Sequence, residues 1–168
     1  FHKNIPREDW SPLLLVNLCD HLDPAVQRFG RTMITTHFDV ADVTEYMVKL
    51  SQHPSANMQL FVSSWLESAS AGDVQKLQRL ELYFLSVLSQ VNRGRIVKSR
   101  IQSFLRQQAT LSEDIAAFVA TLFARQVVTV AIADKAQYIE GLRAIHERFP
   151  ALAGVMTVHP PRAFAAEG

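Results

Sequence analysis

One cysteine, Cys19, stands in the whole 168-residue chain. It excludes an internal disulfide, and with it the small stapled scaffolds of the secretory route. A reducing, intracellular compartment is the expectation. Glycine (6) and proline (7) are scarce too, and most fall between apolar runs. A sheet-rich fold needs many clusters of turn residues, so their scarcity points to helices with short connections. No apolar stretch has the length of a membrane span. The nearest, from Ile115 to Ile132, is interrupted by Thr121, Arg125, Gln126 and Thr129 and reads as a buried helix.

Motifs of site chemistry are missing as well. There is no Gly-x-Ser-x-Gly elbow and no phosphate-cradling glycine loop. Cys19, Asp20, His21 and Asp23 cluster, as do His37, Asp39 and Asp42, but the paired short spacings of a zinc site do not occur. These polar groups read as helix ends and caps. Cys19 sits on an apolar stripe between Leu18 and Leu22, which predicts a buried, inert thiol. Glu8-Asp9 and Glu113-Asp114 fall at helix starts, where carboxylates suit the positive end of the helix dipole. The expectation is a non-enzyme with no cofactor and no metal.

What is present is a run of amphipathic helices. The hydrophobic fraction of 48% against 20% charged excludes disorder as the dominant state. Ser11-Pro12 and Asp23-Pro24 pair a capping side chain with a proline at the first helical position. They predict helices over Leu13–Leu22 and onward through Val26, Phe29, Met33 and Ile34. A third helix is expected after Asp39, with Val43, Met47 and Leu50 inward and Pro54 as its stop. A fourth spans Ala56 to Ala69 on the stripe Met58, Phe61, Val62, Trp65, Leu66.

The strongest periodicity follows Gly72-Asp73, where Leu77, Leu80, Phe84, Leu85, Leu88 and Val91 predict one long helix up to Gly94. The sixth carries Val97, Ile101, Phe104 and Leu105 inward. Thr110 with Glu113 forms a capping box, or Ser112 caps instead. The helix behind it buries Ile115, Phe118, Val119, Leu122 and Phe123, and its β-branched end, Val127 to Ile132, could also be read as a strand. The last helix runs from Lys135 to Phe149, with Pro150 as its stop.

These elements make an all-α domain over 1–150, an antiparallel helical array or bundle of about eight helices, followed by an extended C-terminal tail over 151–168. Starts near Pro12, Val40, Val74 and Ser112 group the helices into four pairs, the spacing of an α-solenoid. No repeated residue signature accompanies that spacing, so a closed bundle explains it as well. The chain opens on Phe1, which reads as a processed or trimmed product.

One segment departs from a mixed surface. Arg93, Arg95, Lys98, Arg100 and Arg106 fall in a stretch without a single acid. Residues 1–72 hold 5 basic and 8 acidic groups, residues 73–168 hold 12 and 8. Arg95, Lys98, Gln102 and Arg106 are expected on a broad outer face opposite Val97, Ile101 and Phe104. Such a face attracts phosphates by counterion release, meets an acidic protein partner, or pairs with acids on neighbouring helices. Stacking support for single-stranded RNA is lacking, because Phe84, Phe104, Phe118 and Phe123 fall at core spacing. Trp10, ahead of the first helix, reads as a staple or as an anchor for a partner. The functional expectation is a non-catalytic scaffold or protein-interaction subunit of a larger assembly, with an RNA-binding helical module as the alternative.

Overall fold

The computed structural model describes residues 9–37, 50–51, 53, 55–90, 95–129 and 132–152. Among them the helices are α1 (Pro12–Cys19), α2 (Pro24–His37), α3 (Ala56–Ser70), α4 (Val74–Arg79), α5 (Glu81–Leu88), α6 (Arg95–Gln108), α7 (Glu113–Thr129) and α8 (Ile132–Arg148). The class is all-α. No strand occurs among the described residues, and the β-branched segment after Val127 continues helical to Thr129.

Local chemistry explains the starts. The backbone N–H of Leu14 donates to Ser11 Oγ at 3.2 Å, with Pro12 next to the cap. Asp73 Oδ1 accepts from the N–H groups of Gln75 and Lys76 at 3.0 and 3.1 Å. At the seventh helix Ser112 is the cap, accepting from Ile115 N–H at 3.3 Å, while Thr110 Oγ1 donates back to the Gln107 carbonyl. Thr110 therefore closes α6 instead of opening α7. Gly72 holds φ at +74°, the left-handed turn that glycine adopts without a Cβ penalty, and its N–H donates to Gln108 Oε1 at 2.7 Å.

Three expectations need correction. The first helix stops at Cys19, and Leu22 projects into solvent at 96% exposure, because His21 and Asp23 commit the backbone to a capped turn. The long fifth helix is two, α4 and α5, joined at Leu80 (φ −90°, ψ 7°), whose N–H is shared between the Lys76 and Leu77 carbonyls. Its apolar face survives the joint: Leu77, Leu80, Phe84 and Leu88 are all fully buried. The last helix begins three residues earlier than Lys135, at Ile132.

Consecutive helices pack together most extensively at three places, α1 on α2, α5 on α6 and α7 on α8. α6 also contacts α3 and α7. One core joins Met58, Val62 and Leu66 of α3 to Ile101 and Leu105 of α6 and Val119, Leu122 and Phe123 of α7. Gly30 lets α2 approach the backbone of Leu18 and Cys19, and Gly141 lets α8 lie against the ring of Phe123. Trp10 packs half-buried on the core, edge-on to His37 at 4.9 Å. Phe149 and Leu152 also rest on the core, so the chain stays docked past Pro150. The third expected helix lies outside the described residues except for its end, where Leu50 is buried. The tail beyond Leu152 lies outside them too.

A repeated signature does exist, at a step of 32 residues, and side-chain hydrogen bonds expose it. Ahead of α2, His21 Nδ1 accepts from Asp23 N–H at 3.0 Å and the His21 carbonyl accepts from Gln27 Nε2 at 2.7 Å. Ahead of α3, His53 Nδ1 accepts from Ser55 N–H at 3.0 Å and the His53 carbonyl accepts from Gln59 Nε2 at 2.7 Å. The flanking sequence shares the offset: Val16 with Val48, Leu18 with Leu50 and Phe29 with Phe61. The two turns are tied to each other. His53 Nε2 meets Asp20 Oδ1 at 2.6 Å, and the Arg31 guanidinium lies over the Phe61 ring, 5.5 Å from its centroid.

Candidate functional site

The cationic segment forms α6, and the structure separates its charges instead of presenting them together. Val97, Ile101 and Leu105 point into the core as the periodicity requires. A helix packed on several neighbours has little outer face left, so the flanks of that stripe are covered as well. Lys98 and Gln102 are buried, at 8% exposure each, which corrects their placement on an open face.

Buried cations need partners, and the adjoining helices supply carboxylates. Lys98 Nζ donates to Asp134 Oδ2 in the first turn of α8 at 2.7 Å, and to the Gln90 carbonyl at 3.3 Å. Arg100 turns the other way, towards α3. Its Nε donates to both oxygens of Glu67, at 3.0 and 2.9 Å, and Nη2 donates to Ser64 Oγ at 3.2 Å. Arg106 reaches α8, donating to Glu140 Oε2 at 3.1 Å and to the Gln137 carbonyl. Arg95 is exposed, forms no ion pair among the described residues, and lines a cleft with Lys98. Arg93 lies outside the described residues.

Burial shifts the groups around these pairs. Desolvation holds the Glu67 carboxyl above its ordinary range even though Arg100 binds it. Burial pushes the Tyr138 phenol up to about 12, with the Gln102 side-chain hydrogen bond acting against it. Tyr83, fully buried near Glu67, is raised by the same cause, and its hydroxyl has no hydrogen-bond partner among the described residues.

Two of the surface concavities among the described residues differ in character, one beside α6 and one away from it. One, of about 310 Å³, lies between the first turns of α6 and α8 and is lined by Arg95, Lys98, Ser99, Asp134 and Gln137, together with Gln90 and Gln102. The other is an open groove of about 470 Å³ between α4–α5 and α7. Phe118 and Leu122 line it, and the Glu81–Arg125 ion pair crosses from α5 to α7 beside them. Leu82 and Val128, 76% and 79% exposed, each lie within one helical turn of that pair.

Cys19 is fully buried on α1, and burial pushes its thiol up to about 11. His21 Nδ1 is occupied by Asp23 N–H. Among the described residues no three His, Cys, Asp or Glu side chains converge as metal ligands, and Asp39 and Asp42 lie outside them. No helix of the described residues is long and apolar enough to cross a membrane. No protein-family model, curated protein or solved structure matches the chain.

Sequence reasoning missed the acids that meet α6. Glu67, Asp134 and Glu140 lie more than 30 positions from their cationic partners, a separation that helical periodicity does not see. The excess of acid in the first half points at most to Glu67, since Asp134 and Glu140 lie in the same half as their cations.

Proposed function

We propose that this chain is a non-catalytic helical scaffold, a protein-interaction subunit of a larger assembly. The observation that carries the reading is the groove between α4–α5 and α7, with the exposed side chains of Leu82 and Val128 beside it. Single exposed apolar residues are ordinary, but two large ones on the helices that bound a groove holding Phe118 and Leu122 add apolar surface to a concavity of mixed lining. The recurring capped turn supports the scaffold half of the reading, because repeated helical units present extended surfaces to partners. A reducing, intracellular compartment suits the buried thiol of Cys19.

The RNA-binding alternative draws its support from Arg95 alone among the described members of the cationic set. Lys98, Arg100 and Arg106 each spend charge on a carboxylate of this chain, and a paired cation releases fewer counterions on meeting phosphate.

The test is affinity purification of the tagged chain beside a Leu82→Asp, Val128→Asp variant, with circular dichroism to show that both are folded. A defined set of protein partners with the wild type, lost in the folded variant, supports the scaffold reading. Partners retained by the variant, or a chain that purifies alone, overturns it. Salt-sensitive anisotropy with single-stranded RNA, abolished in Arg95→Gln, would then put the alternative first.

A further inference from the structure

We propose that the cleft between the first turns of α6 and α8 binds a phosphate monoester in its singly protonated form. Four observations converge there. The described residues that line it, around about 310 Å³, are all polar. Among the described lining residues Arg95 and Lys98 stand with a single acid, Asp134, a balance of one positive charge. The first turn of α6 contains no acid of its own, so no side chain of that turn offsets the positive end of its dipole.

The fourth observation is the state of Lys98. Its side chain is nine-tenths buried, and an ammonium carries three donors. Asp134 Oδ2 takes one and the Gln90 carbonyl another, which leaves one N–H without an acceptor among the described residues, on a side chain that lines the cleft. A phosphoryl oxygen accepts from that donor and from the Arg95 guanidinium, in the charge-assisted geometry that makes such bonds strong.

Asp134 sets the chemical selectivity. A carboxylate repels a bare oxyanion, yet it accepts a hydrogen bond from a phosphoryl O–H. Sulfate carries no proton near neutral pH and leaves Asp134 facing like charge without compensation. Ser99 and Gln137 flank the acid and the cations, and supply neutral donors and acceptors for the remaining oxygens. Gln102 holds its place through Tyr138 and serves as a wall. This reading is independent of the scaffold function, since the cleft and the groove between α4–α5 and α7 share no lining residue.

The experiment is an amide-resolved NMR titration of the chain at about pH 6, where phosphate monoesters retain a proton on a substantial fraction of molecules. Inorganic phosphate and sulfate are compared at matched ionic strength. The expected result is saturable shifts confined to residues 95–99 and 134–137 with phosphate, and sulfate weaker by about tenfold, the cost of one unmatched charged contact. Arg95→Gln, at an exposed position, weakens phosphate by a similar factor and leaves the fold intact. Asp134→Asn narrows the gap between the two anions; should it not fold, Ser99→Ala replaces it, with weaker phosphate binding expected.

Equal response to both anions, no saturation, or indifference to Arg95→Gln overturns the proposal. A nucleoside 5′-monophosphate and a pair of short oligonucleotides, with and without a 5′-phosphate, identify the source of the group. Binding of the mononucleotide points to a free metabolite, and binding of the phosphorylated oligonucleotide alone points to a nucleic-acid end. Equal binding of the 5′-hydroxyl oligonucleotide would overturn the proposal, because the contact would then be with internal phosphodiesters.

Discussion

The imidazole of His53 spans two capped turns: Nδ1 accepts from its own helix start at Ser55, and Nε2 donates to Asp20 beyond the end of α1, 2.6 Å away. Because Nδ1 is an acceptor, the ring proton sits on Nε2, and the tautomer and the contact fix each other. The two bonds differ in weight. Asp20 is 63% exposed, so water replaces its half readily, whereas the His53 side chain is 15% exposed. Asp20→Asn is expected to cost about 0.5 kcal/mol. His53→Ala removes the cap acceptor as well and is expected to cost about 1–2 kcal/mol. Urea denaturation of both variants checks the order.

Gly30 is a contact, not a hinge. A Cβ there would stand 2.9 Å from the Cys19 backbone nitrogen and from Leu18 Cβ, closer than a folded chain allows. Gly30→Ala gains the helix propensity of alanine, about 1 kcal/mol, but must push α1 off α2. A net loss of about 1–2 kcal/mol is expected from overpacking, read as a lower thermal midpoint.

Lys98 and Asp134 should respond asymmetrically. Asp134→Ala strands a buried ammonium, and about 3 kcal/mol of stability is expected to go with it. Lys98→Met leaves behind a carboxylate that is 39% exposed and can be solvated, so the loss is smaller. Chemical denaturation of the two single variants, compared at neutral pH, reads the difference directly. Equal losses would show that the pair acts only as a surface contact.

Glu67 links stability to pH with the opposite sign to most paired carboxylates. Its folded-state pKa is raised from 4.5, burial outweighing Arg100, so the folded chain holds the proton longer than the unfolded one. The contribution is fully present below the unfolded value and is lost as pH rises through the folded value. Between wild type and Glu67→Gln, the wild type is expected to lose stability relative to the variant on going from acid towards neutral pH. Thermal midpoints across that range measure the slope.

Cys19 is expected to resist alkylation while the chain is folded. A thiol at about 11 holds little thiolate near neutral pH, and full burial denies access to it. Iodoacetamide labelling should therefore follow unfolding, accelerating sharply through the denaturation midpoint. Rapid labelling of the native chain would show that α1 opens locally.

The sequence disclosed the elements whose cause is local. Ser11 and Asp73 cap where a short polar side chain precedes an apolar period, and Val97, Ile101 and Leu105 turn inward on spacing alone. It misplaced what depends on neighbours. Nothing in the period around Leu80 signals the tightened turn that divides α4 from α5. The outer face assigned to Lys98 and Gln102 was lost because a helix in contact with α3, α5 and α7 is covered on its flanks as well as its core stripe. The His–Gln turn escaped for another reason. Its two copies agree at the residues that bond the backbone and differ at most others, so a search for overall likeness passes over them.

That turn satisfies its own backbone: the histidine ring serves the N–H two residues on, and the glutamine six residues on serves the histidine carbonyl. Neither bond draws on the preceding helix or on a distant strand of the chain. A start of this kind travels whole. The two helices that open this way, α2 and α3, therefore have their starts closed by residues local to each.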